Sequence, residues 1–489
     1  MPESSLKKKA VQGVFWSSVD KILVKAIAFI VGIVIARILT PAEYGIIGMI
    51  LVFIVISNIL IESGLGQALI QKQDRSDIDR STVFYFNLSI AFTCYLILFF
   101  AAPLIADFYE MSILTPILRV LGINLIINSL ATVQRADLQS SLQFKRIAIV
   151  NISAVVISGS VGIILAYSGL GVWALVFQQM SSALISSIVF WIVGRWRPSL
   201  DFSKHSLRIL WKFGSKLLTA GLISTIFREI YSIAIGKFYR ASELGFYSRA
   251  IQTTDMVAIT TNEMINAVTF PILSSLQNDR SKMIEVYSKM LGMTAFFIFP
   301  IMTLLAVFAE PLVKILLTDK WLPCVILIQW LSFARLFTPI SSLNMNILNA
   351  VGRSDLFLKV DLSKFPMAVV AMIITIPMGV KAIVIGNFIT TFISYFINAY
   401  LPGKMFGFGV VAQFKLFWKI ILADICLAVC GIAVLLLFNN ALIQLILGGI
   451  VSVSIYILIS HVLRMNEWNN FKEILNTLIF KFLKPSGIV

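Results

Sequence analysis

Apolar residues in this chain come in long runs, such as 26–38, 46–61, 88–105 and 427–438. Each run sits inside a stretch of about 20 residues, the length a helix needs to cross about 30 Å of hydrocarbon. Strands of a closed barrel would alternate apolar and polar positions, and these runs do not. The pattern predicts fourteen membrane-crossing helices, near 14–36, 44–66, 81–105, 113–134, 147–168, 171–193, 211–235, 244–268, 284–308, 323–349, 357–377, 381–401, 416–438 and 441–463. The fold class expected is an all-α integral membrane protein. Two six-helix lobes related by a pseudo-two-fold axis are followed by two peripheral C-terminal helices.

The connections are short, which leaves no room for an inserted soluble domain. No G-x-x-x-x-G-K-[ST] phosphate loop occurs, which argues against an ATP-driven pump. The longest inside connection, 195–211, mixes Arg195, Arg197, Lys204 and Arg208 with Leu200, Phe202 and Leu207. It reads as a linker on an anionic membrane surface. The tail carries Phe471, Ile474, Leu475, Leu478 and Phe482 at helical spacing, as an interfacial amphipathic helix does. The expected organisation is therefore 1–208 and 209–405 for the two lobes, 406–463 for two added spans and 464–489 for the tail.

An internal repeat supports the halving. Arg37, Glu43 and Gly45 in the first connection recur as Lys237, Glu243 and Gly245, offset by 200 residues. A weaker pair sets Leu138 near the end of the fourth span against Leu348 near the end of the tenth. Two halves of like orientation imply parallel repeats about an axis along the membrane normal. Thr40, Pro41 and Glu43 also have a local meaning, as a capping box with proline at the first helical position.

Composition agrees. Apolar residues make up 58% of 489 positions and charged residues 13%, against about a quarter in a soluble chain. The net charge of +16 could suggest nucleic acid, but its distribution encodes topology. With the N-terminal Lys7, Lys8 and Lys9 inside, more than half of the Lys and Arg fall in inside segments. Only Arg37, Lys237, Arg240, Lys314, Lys320 and Lys381 fall outside. That is the positive-inside bias, and it puts both termini in the cytoplasm and excludes nucleic acid as a partner. The start is basic, but Lys21 and Lys25 interrupt its apolar run, so it reads as a retained first helix.

Charges within spans cost roughly 2.5–3.5 kcal/mol each, so they are expected to face protein or water. Arg249, Gln252, Thr253, Thr260 and Glu263 form one stripe at the helical period, and Arg335, Thr338, Ser342, Asn346 and Asn349 form another. Ser17, Lys21 and Lys25 share a face of the first helix. Such stripes suit the walls of a cavity, although hydroxyl and amide side chains also join helices. Candidate cavity cations are Lys21, Lys25, Arg249 and Arg335. Candidate sites for a coupling ion, H⁺ or Na⁺, are Asp20, Glu62 and Glu263. His205 and His461 lie far apart, and Cys94, Cys324, Cys426 and Cys430 read as packing. No catalytic constellation, metal site or cofactor is expected.

Gly13, Val14, Phe15 and Trp16, then Ala36 to Gly45, then Glu62, Ser63, Gly64, Leu65, Gly66 and Gln67 resemble a known family. They look like the polysaccharide exporters and O-antigen flippases of the multidrug/oligosaccharidyl-lipid/polysaccharide superfamily, of the lipopolysaccharide and colanic-acid type. The resemblance implies an inner-membrane transporter. It would move an undecaprenyl-pyrophosphate-linked oligosaccharide to the outer leaflet by alternating access, beside partners that assemble the polysaccharide. A cationic cavity would pair with the pyrophosphate. Two alternatives stay open, a drug or small-cation antiporter of the same superfamily and a membrane glycan polymerase or ligase.

Overall fold

The computed structural model describes residues 3–62, 64–72 and 74–483, and among these every regular element is helical. The expected tail continues beyond them to 489. The side chains of Lys7, Lys8, Lys9, Ile474, Leu478 and Phe482 also lie outside the described set. The chain divides into two compact units, Met1–Ser248 and Arg249–Val489.

The first unit holds α1 (Glu3–Ile38), α2 (Pro41–Glu62), α3 (Leu65–Gln71), α4 (Asp77–Tyr109), α5 (Leu114–Ser140), α6 (Phe144–Tyr167), α7 (Val172–Val193) and α8 (Lys204–Phe238). It also takes the first two turns of α9 (Ala241–Ser275). Within it α6 packs along α7 and α1, α4 along α5, α5 along α7, and α2 along α8. The connection between α7 and α8 is pinned to the start of α4. Arg197 donates to the carbonyls of Trp191, Gly194 and Trp196. The backbone N–H groups of Ser199 and Ser203 donate to the hydroxyls of Ser81 and Thr82, each at 3.0 Å. Helix α8 starts at Lys204, seven residues before the span expected from hydropathy, because Ser203 caps it through the N–H of Ser206.

The second unit continues α9 and adds α10 (Arg280–Val307), α11 (Ala309–Leu316), α12 (Cys324–Ala350), α13 (Ser354–Ser363), α14 (Phe365–Thr375), α15 (Val380–Phe406), α16 (Val410–Leu437), α17 (Ala441–Val462) and α18 (Asn466–Leu483). Its core gathers Tyr287, Ile298, Phe299, Ile347, Tyr395 and Phe417. A buried polar knot crosses it: Tyr287 donates to Asn344, and Gln413 donates to Asn344 at 3.0 Å. Helix α16 packs on α10 and α17. Leu436 and Leu437 at its end are 80% and 75% exposed, as side chains facing lipid tails would be.

The fourteen expected spans fall largely on helix, although the second, 44–66, is interrupted after Glu62 by the turn at Gly64, and eleven helices among the described residues are long and apolar enough to cross a membrane. The count of fourteen is not reached on that criterion, for physical reasons. Helix α1 carries Asp20, Lys21, Lys25 and Arg37, and α9 carries Arg249, Asp255 and Glu263. The span expected over 357–377 is divided between α13 and α14, with Pro366 at the start of the second piece. Proline cannot donate into the preceding turn, so it favours a fresh start there.

Both copies of the repeat fall at a short connection between two helices. Helix α1 ends at Ile38 and α2 begins at Pro41; α8 ends at Phe238 and α9 begins at Ala241. Glu43 and Glu243 both sit in the first turn of the helix that follows. Glu43 closes the expected capping box, accepting from the N–H and the hydroxyl of Thr40 at 2.6 and 2.8 Å.

Candidate functional site

Helix α5 places Asn124, Asn128, Thr132 and Arg135 at i, i+4, i+8 and i+11, a polar stripe along one face. Helix α2 brings Asn58 and Glu62 on one face, one turn apart, and α7 brings Ser186. These three helices enclose a polar cavity of about 300 Å³ lined by Asn58, Glu62, Asn128, Thr132, Arg135 and Ser186, with Ile61, Ser129 and Ala131 between them.

Local chain geometry fixes the carboxylate at the cavity. Glu62 is the last residue of α2, and the break beyond it is made by Gly64 at φ 64°. That left-handed conformation suits glycine. A Cβ there would also stand 2.5 Å from the carbonyl oxygen of Gly214 on α8. A carboxylate at a helix C-terminus faces the negative end of the helix dipole, at a cost of about 0.3–1 kcal/mol. Glu62 is therefore not placed for helix stability. Arg135 suits its position better, lying five residues from the end of α5 and over the ring of Phe190 at 5.3 Å. Among the described residues no ion pair joins Glu62 to Arg135, although both face the same cavity.

The other candidates are distributed as follows. Asp20 on α1 accepts a hydrogen bond from Asn151 of α6 at 2.9 Å. Lys21 is exposed and Lys25 half-buried on the same helix, and none of the three lines the cavity that holds Glu62. In the second unit, Arg249 is 5% exposed. It lies over the ring of buried Trp321 at 5.5 Å and donates to Gln252 at 2.8 Å. Arg335 on α12 is half-buried and donates to Asp255 of α9 at 2.5 Å. Glu263 is exposed on α9. Glu62, though exposed, lines the polar cavity of the first unit, and both arginines have partners within the second unit. Among the described residues no three His, Cys, Asp or Glu side chains gather as a metal site would require.

Arg135, Asn58, Asn128 and Thr132 were not singled out from the sequence. The signal was present in the stripe along α5. Hydropathy closes that span at 134, so Arg135 counts there among the topology-setting charges of the following connection. The helix continues to Ser140, which keeps Arg135 on the stripe.

Comparison with known proteins places this geometry among relatives. Residues 34–326 match the family described as polysaccharide biosynthesis protein. The chain is 25% identical to the teichuronic acid biosynthesis protein TuaB of Bacillus subtilis (strain 168), over 72% of this chain and 73% of that one. It is 24% identical to the lipopolysaccharide biosynthesis protein WzxC of Escherichia coli (strain K12), over 80% and 81%. Among solved structures, the lipid II flippase MurJ in an inward closed conformation superposes with a TM-score of 0.73. It shares 14% identity, over 93% of this chain and 98% of that one. That likeness establishes the fold.

Proposed function

Because this chain belongs to the polysaccharide biosynthesis protein family, we propose that it is a flippase for a lipid-linked oligosaccharide. The cargo is an oligosaccharide on undecaprenyl pyrophosphate, carried from the inner to the outer leaflet of the bacterial inner membrane by alternating access. Both termini face the cytoplasm. The observation that carries this reading is the family match over 34–326, which spans the region from the end of α1 to the start of α12. The relatives named for teichuronic acid and lipopolysaccharide biosynthesis support it.

The physical chemistry agrees with transport. The chain carries charged and amide side chains at membrane depth, where they are retained only for a purpose. The cavity among α2, α5 and α7 offers donors and acceptors to a polar cargo. Lys21 and Lys25 on α1 are the cations we assign to the pyrophosphate, since a point charge on a long stem can follow a moving phosphate. Asp20, Glu62 and Glu263 remain the candidates for H⁺ or Na⁺ coupling. The protein is a transporter and not an enzyme.

Export decides the matter in cells. The chain, expressed in a strain lacking its own flippase but retaining the glycan assembly enzymes, is expected to restore surface polysaccharide. Normal protein level with no restored glycan, for any of several lipid-linked substrates, overturns the reading.

A further inference from the structure

The cavity among α2, α5 and α7 holds two opposite charges that do not pair with each other, and what fits between them is informative. Among the described residues, the side chains of Asn58, Glu62 and Asn128 have no hydrogen-bond partner within the protein, although all face the cavity. Thr132 donates back to the carbonyl of Asn128 at 3.3 Å, which leaves its oxygen to accept. The wall thus presents one guanidinium donor fork, one acceptor carboxylate and two amides that can do either.

Three kinds of occupant can be weighed. A phosphate would pair with Arg135 but share the cavity of about 300 Å³ with the carboxylate of Glu62, whose like charge disfavours it. A drug-like cation would meet Arg135. A neutral, hydroxyl-rich ring satisfies both, because each hydroxyl donates to the carboxylate or an amide oxygen and accepts from the guanidinium or an amide N–H. The volume lies at the lower end of the range for small-ligand sites, which suits one sugar unit and not a chain. All three helices contribute from their C-terminal halves, the end that the topology places toward the cytoplasm, where the cargo is loaded.

We propose that Asn58, Glu62, Asn128 and Arg135 form a sugar-reading subsite that grips one ring of the oligosaccharide as it enters. The proposal rests on the transport reading for its cargo, but its own test needs no transport. Asn58 is half-buried and Glu62, Asn128 and Arg135 are exposed along the cavity wall; a ring that covers them leaves unpaired whatever it does not match, so the subsite selects among glycans by hydroxyl pattern.

The experiment is saturation-transfer NMR on the full chain in detergent. Probes are free glucose, galactose, mannose, rhamnose and N-acetylglucosamine, with inorganic pyrophosphate and tetraphenylphosphonium as competitors. At least one sugar is expected to receive saturation from the wild-type protein, and its apparent affinity to fall at least tenfold in Glu62→Gln and in Arg135→Gln. Neither competitor should displace it. Asn128→Ala, which changes no charge, should weaken binding too, and it carries the test if the charge variants fold poorly as judged by their melting temperature. No signal from any sugar, a signal unchanged in the folded variants, or displacement by pyrophosphate or the cation each overturns the subsite. A chain that fails to export glycan yet binds sugar through these residues counts against the transport reading alone. A chain that exports with unchanged sugar binding in the variants counts against the subsite alone.

Discussion

Gly45 and Gly245, equivalent positions of the repeat, bring the first turns of α2 and α9 into backbone contact in a reciprocal way. A Cβ on Gly45 would lie 1.7 Å from the carbonyl oxygen of Ala241, and a Cβ on Gly245 would lie 1.8 Å from that of Pro41. One turn on, a Cβ on Gly48 would lie 3.0 Å from the hydroxyl of Ser248. Gly45 and Gly48 thus face Ala241 and Ser248, and Gly245 faces the backbone of Pro41, an approach that small residues allow between membrane helices. The neighbours of Gly45 and Gly245 are backbone carbonyls, which cannot swing aside as a flexible side chain can.

The crossing predicts that Gly45→Ala and Gly245→Ala force the two helix starts apart. Overpacking of this kind typically costs about 1–3 kcal/mol where the structure cannot yield. A Gly48→Cys/Ser248→Cys pair has the reach for a disulfide and should oxidise readily in the otherwise native chain. Adding Gly245→Ala should slow that crosslink severalfold. An undiminished crosslinking rate would mean that the contact is not held in the membrane.

The pair Arg335 and Asp255 joins α12 to α9 with both side chains about four-fifths shielded. Removing one partner of a buried pair costs about 3–5 kcal/mol, and the remaining exposure lowers that here to about 2–3 kcal/mol. Arg335→Ala and Asp255→Ala should each lower the melting temperature in detergent. The double variant should be less destabilised than the sum of the two, as interacting neighbours are. Strict additivity would show that the arginine acts elsewhere.

Arg249 calls for a different outcome. Because it is buried over Trp321, Arg249→Glu should reduce the amount of folded protein in the membrane, and Arg249→Lys should lose the flat stacking contact. Glycan exported per molecule of folded protein should change little. A normal protein level with abolished export would instead put Arg249 on the transport path.

Orientation is checked by reporter fusions. Fusions after Lys72, Arg195 and Lys404 should report the cytoplasm, and fusions after Asp107, Lys320 and Asn440 the opposite side. An external signal at Arg195 contradicts the topology, because that residue belongs to the connection tied to the start of α4.

Much of this architecture was legible in the sequence, because crossing a bilayer forces length and apolarity onto each helix. The helix expected over 323–349 is observed at Cys324–Ala350, and the last span expected over 441–463 at Ala441–Val462. What hydropathy cannot carry is partnership. Arg335 reads as a lone cation on a polar stripe until α9 brings Asp255, 80 residues away in sequence, against it. Arg249 shares a stripe with Gln252 and Glu263 and is nonetheless shielded by Trp321, which sits in a short turn between α11 and α12 that no apolar run announces. Glu62 was legible as a carboxylate out of place, but its cavity depended on a stripe along α5 whose last member fell beyond the expected span.

The most direct test of the central claim is flipping by the purified chain in sealed vesicles. An undecaprenyl-pyrophosphate-linked oligosaccharide carrying a fluorophore on its glycan is placed in both leaflets, and the fraction reached by an impermeant quencher is followed with time. Wild-type vesicles should pass from half to nearly complete quenching, and Glu62→Gln and Arg135→Gln vesicles should do so at least tenfold more slowly. Quenching that stays at half in wild-type vesicles holding correctly folded protein would contradict the account.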